Sequence, residues 1–313
     1  MSEETLRNQP ILVTGVHRSG TTWVGKILCA SGEAAYISEP LNLWHRPGVM
    51  KVPVSGWYTY ITQENESAYL PAFDDIFSYR YHLWAEIQSL KSWHDFLRML
   101  RDCNIFFWGK LLNKRPLLKD PFAAFSIPWF MKRLNCRVVV MVRHPLAFVS
   151  SLKRLGWNFN FFDLLEQPLL MRDCLAPYRQ EILSVHQKTD DIIAQGSLLW
   201  KLIYQTAYDC QNQHPEVIFA RHEDLSRQPF EEFHRLYDEL GLHFNSKVEK
   251  AILETSSSEN PKELSQNKVH AVRLDSRSNL DNWKRRLTED EIERITQLTG
   301  EAASRFYPEA EWQ

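Results

Sequence analysis

Apolar residues fall along the chain in two textures. Continuous runs at Ile11-Leu12-Val13, Leu117-Leu118, Arg137 to Val142 and Val217-Ile218-Phe219-Ala220 lack polar alternation, as strands buried on both faces do. Ala35-Tyr36-Ile37-Ser38 reads as a further short strand, delivering Glu39-Pro40 at its end. Between these runs the apolar spacing is helical. Val24, Ile27 and Leu28 form one such face, and Ile192, Ile193, Leu199, Ile203 and Ala207 another within a long helix from about Asp190 to Gln211. Helices are also predicted from about Tyr79 to Leu100, from Pro229 to Leu240 with Gly241 as the stop, and from Ser246 to Glu254. Thr288 and Glu291 make a capping box for a last helix, Glu289 to Phe306. Strands alternating with helices predict an α/β fold with a central parallel sheet flanked by helices.

Two stretches depart from this rhythm. Residues of about 41–113 and 156–185 are rich in aromatics, among them Trp44, Trp57, Tyr58, Trp84, Trp93, Phe107, Trp108, Trp157 and Phe161, and are expected to be helical insertions. Aromatic rings pack a local core or line a pocket for a sugar or an apolar ligand, so both insertions are candidate substrate-binding regions. From Ser256 to Asn282 the chain is polar and basic with little periodicity, and is expected to be a loop.

The first strand leads through Gly15-Val16-His17-Arg18-Ser19-Gly20 into the first helix. A glycine loop opening a helix points backbone N–H groups and the positive helix end at one spot, which is a cradle for phosphate or sulfate. The glycine spacing is that of the Walker P-loop, yet Thr21 stands where that motif requires Lys, and the fixed cation has moved to Arg18. The strand from Arg137 ends in Arg143-His144-Pro145, where a Walker B strand would end in a magnesium-binding Asp. Arginine there favours an anion over a metal, so no metal is expected.

Composition adds limits. The 313 residues, 44% hydrophobic and 24% charged, suffice for one core, and a single domain over 1–313 is expected. A net charge of −2 without a dense Lys/Arg run predicts no nucleic-acid groove. No apolar run of about eighteen residues is present, so no membrane span is expected. The polar Met1 to Pro10 stretch and the separated Cys29, Cys103, Cys136, Cys174 and Cys210 point to a cytoplasmic protein with free thiols. The oligomeric state is open, a homodimer included.

The segment His17-Arg18-Ser19-Gly20-Thr21-Thr22-Trp23 resembles the 5′-phosphosulfate loop of sulfotransferases that use 3′-phosphoadenosine 5′-phosphosulfate, PAPS. The resemblance implies a P-loop-like fold in which these residues hold the phosphosulfate, with Arg18 also catalytic. In the carbohydrate-sulfating branches that the chain resembles, a Glu after the first helix takes the proton of the acceptor hydroxyl, which here is Glu39. The alternative for Glu39 is a structural carboxylate. A Lys shortly before Pro lies beside the sulfonate in the glycosaminoglycan members, which implies Lys119 as a second catalytic cation, with Asp120 orienting it or competing as base. A surface Lys-Asp pair is the alternative.

Arg143, followed eight residues later by Ser151, resembles the family's 3′-phosphate grip, and Lys153 and Arg154 stand close by in sequence. Arg221-His222-Glu223-Asp224-Leu225 resembles the family's Tyr-Glu-Asp-Leu segment with His222 replacing the tyrosine. Arg277, in a basic loop ahead of Trp283, resembles a further phosphate contact. The Arg-Lys-Gly triplet of the cytosolic small-molecule members is missing, which favours the carbohydrate-like or bacterial branches. The activity so implied is transfer of the sulfonate of PAPS to the hydroxyl of a small-molecule or carbohydrate acceptor, carbohydrate favoured over lipid alcohol or phenol, with release of 3′-phosphoadenosine 5′-phosphate (PAP). A kinase with a degenerate P-loop and a non-catalytic PAP-binding protein are the alternatives.

Overall fold

In the computed structural model, which describes residues 9–188, 190–256, 277 and 279–312, the apolar runs become five strands. They are β1 (Ile11–Gly15), β2 (Ala34–Ser38), β3 (Arg115–Lys119), β4 (Arg137–Val142) and β5 (Ile218–Arg221), all parallel in the order β2-β3-β1-β4-β5. Register brings Val13 of β1 and Ser38 of β2 opposite Lys119, and Gly15 opposite Met141. Because every strand runs the same way, all five carboxyl ends lie along one edge, where ligands of open α/β sheets bind.

Successive side chains point to opposite faces, so each strand feeds two cores. Ile11, Val13, Val139 and Met141 pack with Val24 and Ile27 of α1 (Thr21–Leu28) and with Phe233, Tyr237, Val248 and Ile252 from two later helices. Leu12, Val138, Val140 and Val142 pack on the other face with Phe148, Trp200, Ile203 and Ile295. Gly25 lets α1 lie close to the sheet: a β-carbon there would stand 2.9 Å from the Tyr36 ring and 3.3 Å from Lys119 Cβ. That close packing buries Lys119.

The first aromatic insertion contributes α2 (Leu70–Phe77), α3 (Leu83–Gln88) and α4 (Trp93–Leu111). Phe73, Ile76, Tyr79 and Phe106 from it join the larger core. The single helix expected over Tyr79 to Leu100 is a correction: Tyr79 has φ +53, outside helical space, and Ser92 starts a new helix by accepting a hydrogen bond from Asp95 N at 3.1 Å. Polar Ser92 is a stronger signal than the apolar count around it, since its side chain supplies the cap that α4 needs.

After β3 and a 3-10 turn come α5 (Ile127–Leu134) and, behind β4, α6 (Pro145–Leu155). The chain continues through α7 (Arg179–His186) to the long α8 (Ile192–Gln213). Beyond β5 follow α9 (His222–Arg227), α10 (Pro229–Leu240), α11 (Ser246–Ser256) and α12 (Glu289–Ala303). The capping box at Thr288 and Glu291 is present. Of the loop expected from Ser256 to Asn282, residues 257–276 and 278 lie outside the described residues. Among the described residues no helix is long and apolar enough to cross a membrane.

Candidate active site

The cradle begins where β1 ends. Gly15 (φ +134) lies against the Met141 carbonyl, and Ser19 N donates to Val16 O at 3.1 Å to close the turn. Gly20 (φ +100) caps α1, and a β-carbon there would come within 2.7 Å of His222 Cδ2. A residue without a side chain offers no capping oxygen, so the first N–H groups of α1 remain directed at whatever anion enters. Arg18 is the loop's strained residue, at φ +68. Its carbonyl accepts from Arg143 Nη1 at 2.9 Å and its guanidinium lies 5.8 Å from the Trp157 ring centre.

Cations gather around that loop. Burial and the charges of Arg143 and Arg154 lower the Arg18 guanidinium to about 10. Arg143 is buried, and burial, with Arg286 opposing and Glu223 supporting its charge, lowers it as well. The Nε of Arg143 is buried with no hydrogen-bond partner among the described residues. Ser151 is buried nearly two turns into α6 beyond it. A cavity of about 460 Å³ is lined by Lys153, Arg154, Arg285 and Arg286. Lys153 is held there by Glu291 at 2.7 Å and by the Arg286 carbonyl at 3.1 Å. The summed positive potential of these side chains suits an anionic ligand.

On the other side of β1, Lys119 and Glu39 form an ion pair that joins the ends of β3 and β2. Lys119 is only 2% exposed while Glu39 keeps 19%, so the carboxylate is the member that reaches outward. Glu39 adopts φ +50, its N–H donates to Lys119 O at 2.8 Å, and Asn42 Nδ2 donates to Glu39 Oε2 at 2.7 Å. Asp120 has a structural duty. Its two oxygens accept from Leu41 N at 2.6 Å and Phe122 N at 3.0 Å, capping the turn after β3. Burial pushes Asp120 up to about 7.

His17 sits between these halves. Its backbone N–H donates to the Tyr58 hydroxyl at 3.1 Å, and that hydroxyl lies 2.6 Å from His17 Nδ1. The hydroxyl donates to Nδ1 in one ring tautomer and accepts from it in the other. The imidazole is neutral at pH 7. Burial and the neighbouring Arg18 lower it to about 4, opposed by Glu39. Phe122 and Trp157 flank its ring at 6.5 and 6.4 Å, and Trp57 packs on Phe122 at 4.5 Å with the rings tilted by 40°. Both aromatic insertions therefore reach the loop, through Trp57, Tyr58 and Trp157.

Three further residues named from sequence have the following surroundings. Trp23 points into the protein, donating to Thr255 Oγ1 at 3.0 Å and meeting the His222 and Phe233 rings edge-on. His222 is buried against Gly20, where burial and Arg143 lower it to about 3. Arg277 donates to the Arg227 carbonyl at 2.6 Å at the end of α9. Sequence reasoning passed over Phe122 and gave no individual role to Tyr58 or to the buried Glu223, which accepts from His144 N at 3.0 Å and from Tyr307 hydroxyl at 2.8 Å.

Burial also lowers His144 to about 4. An imidazole with a depressed folded value binds fewer protons than in the unfolded chain, so its contribution is lost as pH falls from 6.5 towards 4. His144 alone removes about 2 kcal/mol by pH 5, with His17 and His222 acting in the same direction. Urea unfolding at pH 7.5 and at pH 5 measures this, and equal stabilities would refute it.

A parallel α/β sheet with a glycine cradle after β1 and basic residues at the ends of β3 and β4 defines a P-loop-like group-transfer enzyme. Within that class the chain belongs to the sulfotransferases: the family model described as Sulfotransferase domain matches residues 8–307. It is similar in fold to the sulfotransferase domain of the Synechococcus PCC 7002 olefin synthase, with 16% identity, 96% of this chain and 95% of that one covered, and a TM-score of 0.46. The sulfotransferase domain from the curacin biosynthetic pathway aligns with 16% identity over 93% of this chain and 97% of its own, with a TM-score of 0.48. Mouse sulfotransferase SULT7A1, solved complexed with PAP, aligns with 14% identity over 95% and 85%, with a TM-score of 0.45. A search of curated proteins finds no match.

Proposed function

We propose that this sulfotransferase takes PAPS as donor and moves its sulfonate to an acceptor hydroxyl, releasing PAP. The observation that supports this best is the placement of two unlike sites on one sheet edge. An uncapped helix start with Arg18 and Arg143 lies at β1 and β4, and the Glu39–Lys119 pair lies at β2 and β3. The first suits an anionic donor, the second an alcohol that must lose a proton.

In this reading His17, Arg18, Ser19, Gly20, Thr21 and Thr22 hold the phosphosulfate, chiefly through backbone N–H groups. Trp23 supports the loop from behind. Arg143 and Ser151 take the 3′-phosphate, and the neighbouring Arg154 and Arg286 add positive potential. The acceptor oxygen bonds to sulfur as the bond between sulfur and the bridging oxygen breaks. Glu39 receives the hydroxyl proton, Lys119 faces the transferring group, and Arg18 stabilises the charge left on the phosphate. His17 contributes a neutral imidazole beside the loop. Trp57, Phe122 and Trp157 offer ring faces of the kind that sugars stack on, which favours a carbohydrate acceptor.

Calorimetric titration tests the donor. PAP is expected to bind at micromolar Kd and AMP far more weakly. Arg143→Ala is expected to weaken PAP at least about 30-fold, the cost of removing a buried, hydrogen-bonded charge partner. Preference for ATP with magnesium, or undiminished PAP binding by the variant, would overturn the assignment.

A further inference from the structure

α4 is amphipathic in an unusual sense, because its outward face is the apolar one. Met99, Asp102, Phe106 and Gly109 face the protein, with Gly109 tight against the Tyr79 ring. Trp93, Leu97, Leu100, Phe107, Trp108 and Leu111 face outward, from 45% to 69% exposed. Their spacing of four and three residues places them in one stripe along the helix. α3 just before it exposes Trp84 to 78% together with Leu83 and Ile87. A patch of this kind on a soluble domain marks an interaction site.

The charges around the stripe select its occupant. Lys91, His94, Arg98, Arg101 and Lys110 are exposed, and Lys26 of α1 lies near enough to Arg101 for its own charge to be opposed. The acidic residues of α3 and α4 are Glu86, Asp95 and Asp102, and none is exposed. Glu86 and Asp95 are held by Arg46, and Asp102 by Arg101. The exposed charges that flank the apolar stripe on these helices are therefore all basic. A second copy would bring the same charges to the same rim and be repelled. An anionic surface with an apolar interior complements both the rim and the stripe.

We propose that α4 docks the protein on an anionic lipid bilayer, its apolar stripe entering the headgroup layer and Arg98, Arg101 and Lys110 meeting lipid phosphates. Tryptophan, phenylalanine and leucine flanked by basic residues, on a helix lying in the interface plane, are what such docking uses. The docking is independent of the transfer chemistry, so it stands or falls without reference to the donor or acceptor.

Co-sedimentation of the full chain with vesicles tests it, comparing phosphatidylcholine alone with an equimolar mixture of phosphatidylcholine and phosphatidylglycerol. Binding is expected to the mixed vesicles at low salt and to fall as salt is raised. The exposed double variant Phe107→Ser/Trp108→Ser is expected to lower partitioning at least about tenfold. Arg98→Glu/Lys110→Glu is expected to lower it at least about 30-fold. Circular dichroism of both variants should match the parent, since the altered side chains are exposed. Failure to bind the mixed vesicles, equal binding to both vesicle types, or binding that survives both double variants would overturn the proposal. So would a homodimer, seen by light scattering, that Phe107→Ser/Trp108→Ser dissociates, because the stripe would then belong to a second copy.

Discussion

Arg18→Ala is expected to lower kcat at least about 100-fold with the fold intact. The charge on Arg18 is worth more than a surface arginine's because its surroundings are poorly solvated, as the drop to about 10 reports, yet it remains protonated at neutral pH. It is also fixed in place, by the Arg143 bond to its carbonyl and by the Trp157 ring beside its guanidinium. A preorganised cation costs no reorganisation when the phosphate oxygen takes up charge, and its removal falls mainly on the transition state. Alanine keeps the same β-carbon at φ +68, so loop strain is unchanged. Single-turnover assays with PAPS, alongside thermal unfolding, measure the effect. Near-normal turnover in a folded Arg18→Ala protein would remove Arg18 from the mechanism.

Glu39→Gln carries the second large effect, a loss of about 10²- to 10⁴-fold in kcat with PAP affinity retained. The amide keeps one acceptor oxygen, for Lys119, and gives up the bond from Asn42, so the size of the side chain persists while the proton acceptor is lost. Lys119 is buried, and losing the balancing charge there destabilises the fold, by about 3 kcal/mol on the scale of broken buried pairs. The discriminating measurement is therefore turnover per folded molecule, with PAP titrated in parallel. Retained turnover would leave Glu39 as a structural carboxylate. Loss of turnover with PAP binding preserved separates an enzyme from a protein that only binds the nucleotide.

The donor half of the site was legible because its signals are local. Gly15, Gly20 and Arg18 lie within one turn whose geometry admits few other residues, and Arg143 follows a strand that sequence marks without ambiguity. Parallel strands also end on one edge, so residues at strand ends, Glu39 and Lys119 among them, are drawn together once the sheet is recognised. The acceptor half was not legible. Tyr58 has no motif, and its hydroxyl meets His17 only because a left-handed backbone at Tyr58 turns the ring inward. Phe122 and Trp57 look in sequence like Trp84 and Trp93, although the first pair lines the site and the second faces outward. Aromatic content reports that rings must be placed, and tertiary packing decides where. The cap formed by Asp120 was hidden for a related reason: a carboxylate after a strand reads alike whether it faces a ligand or caps a turn, and Leu41 N comes from a distant part of the chain.

The strand order has one more consequence. β1 and β4 are neighbours and carry the arginines of the anion cradle, while β2 and β3 are neighbours and carry Glu39 and Lys119. The long aromatic insertion leaves the sheet after β2 and returns at β3, so it hangs from the second pair alone. The long insertion and the anion cradle are thereby attached to separate halves of one sheet. A change in the hanging segment, as in the bit of a tool, leaves the strands that carry the cradle in place.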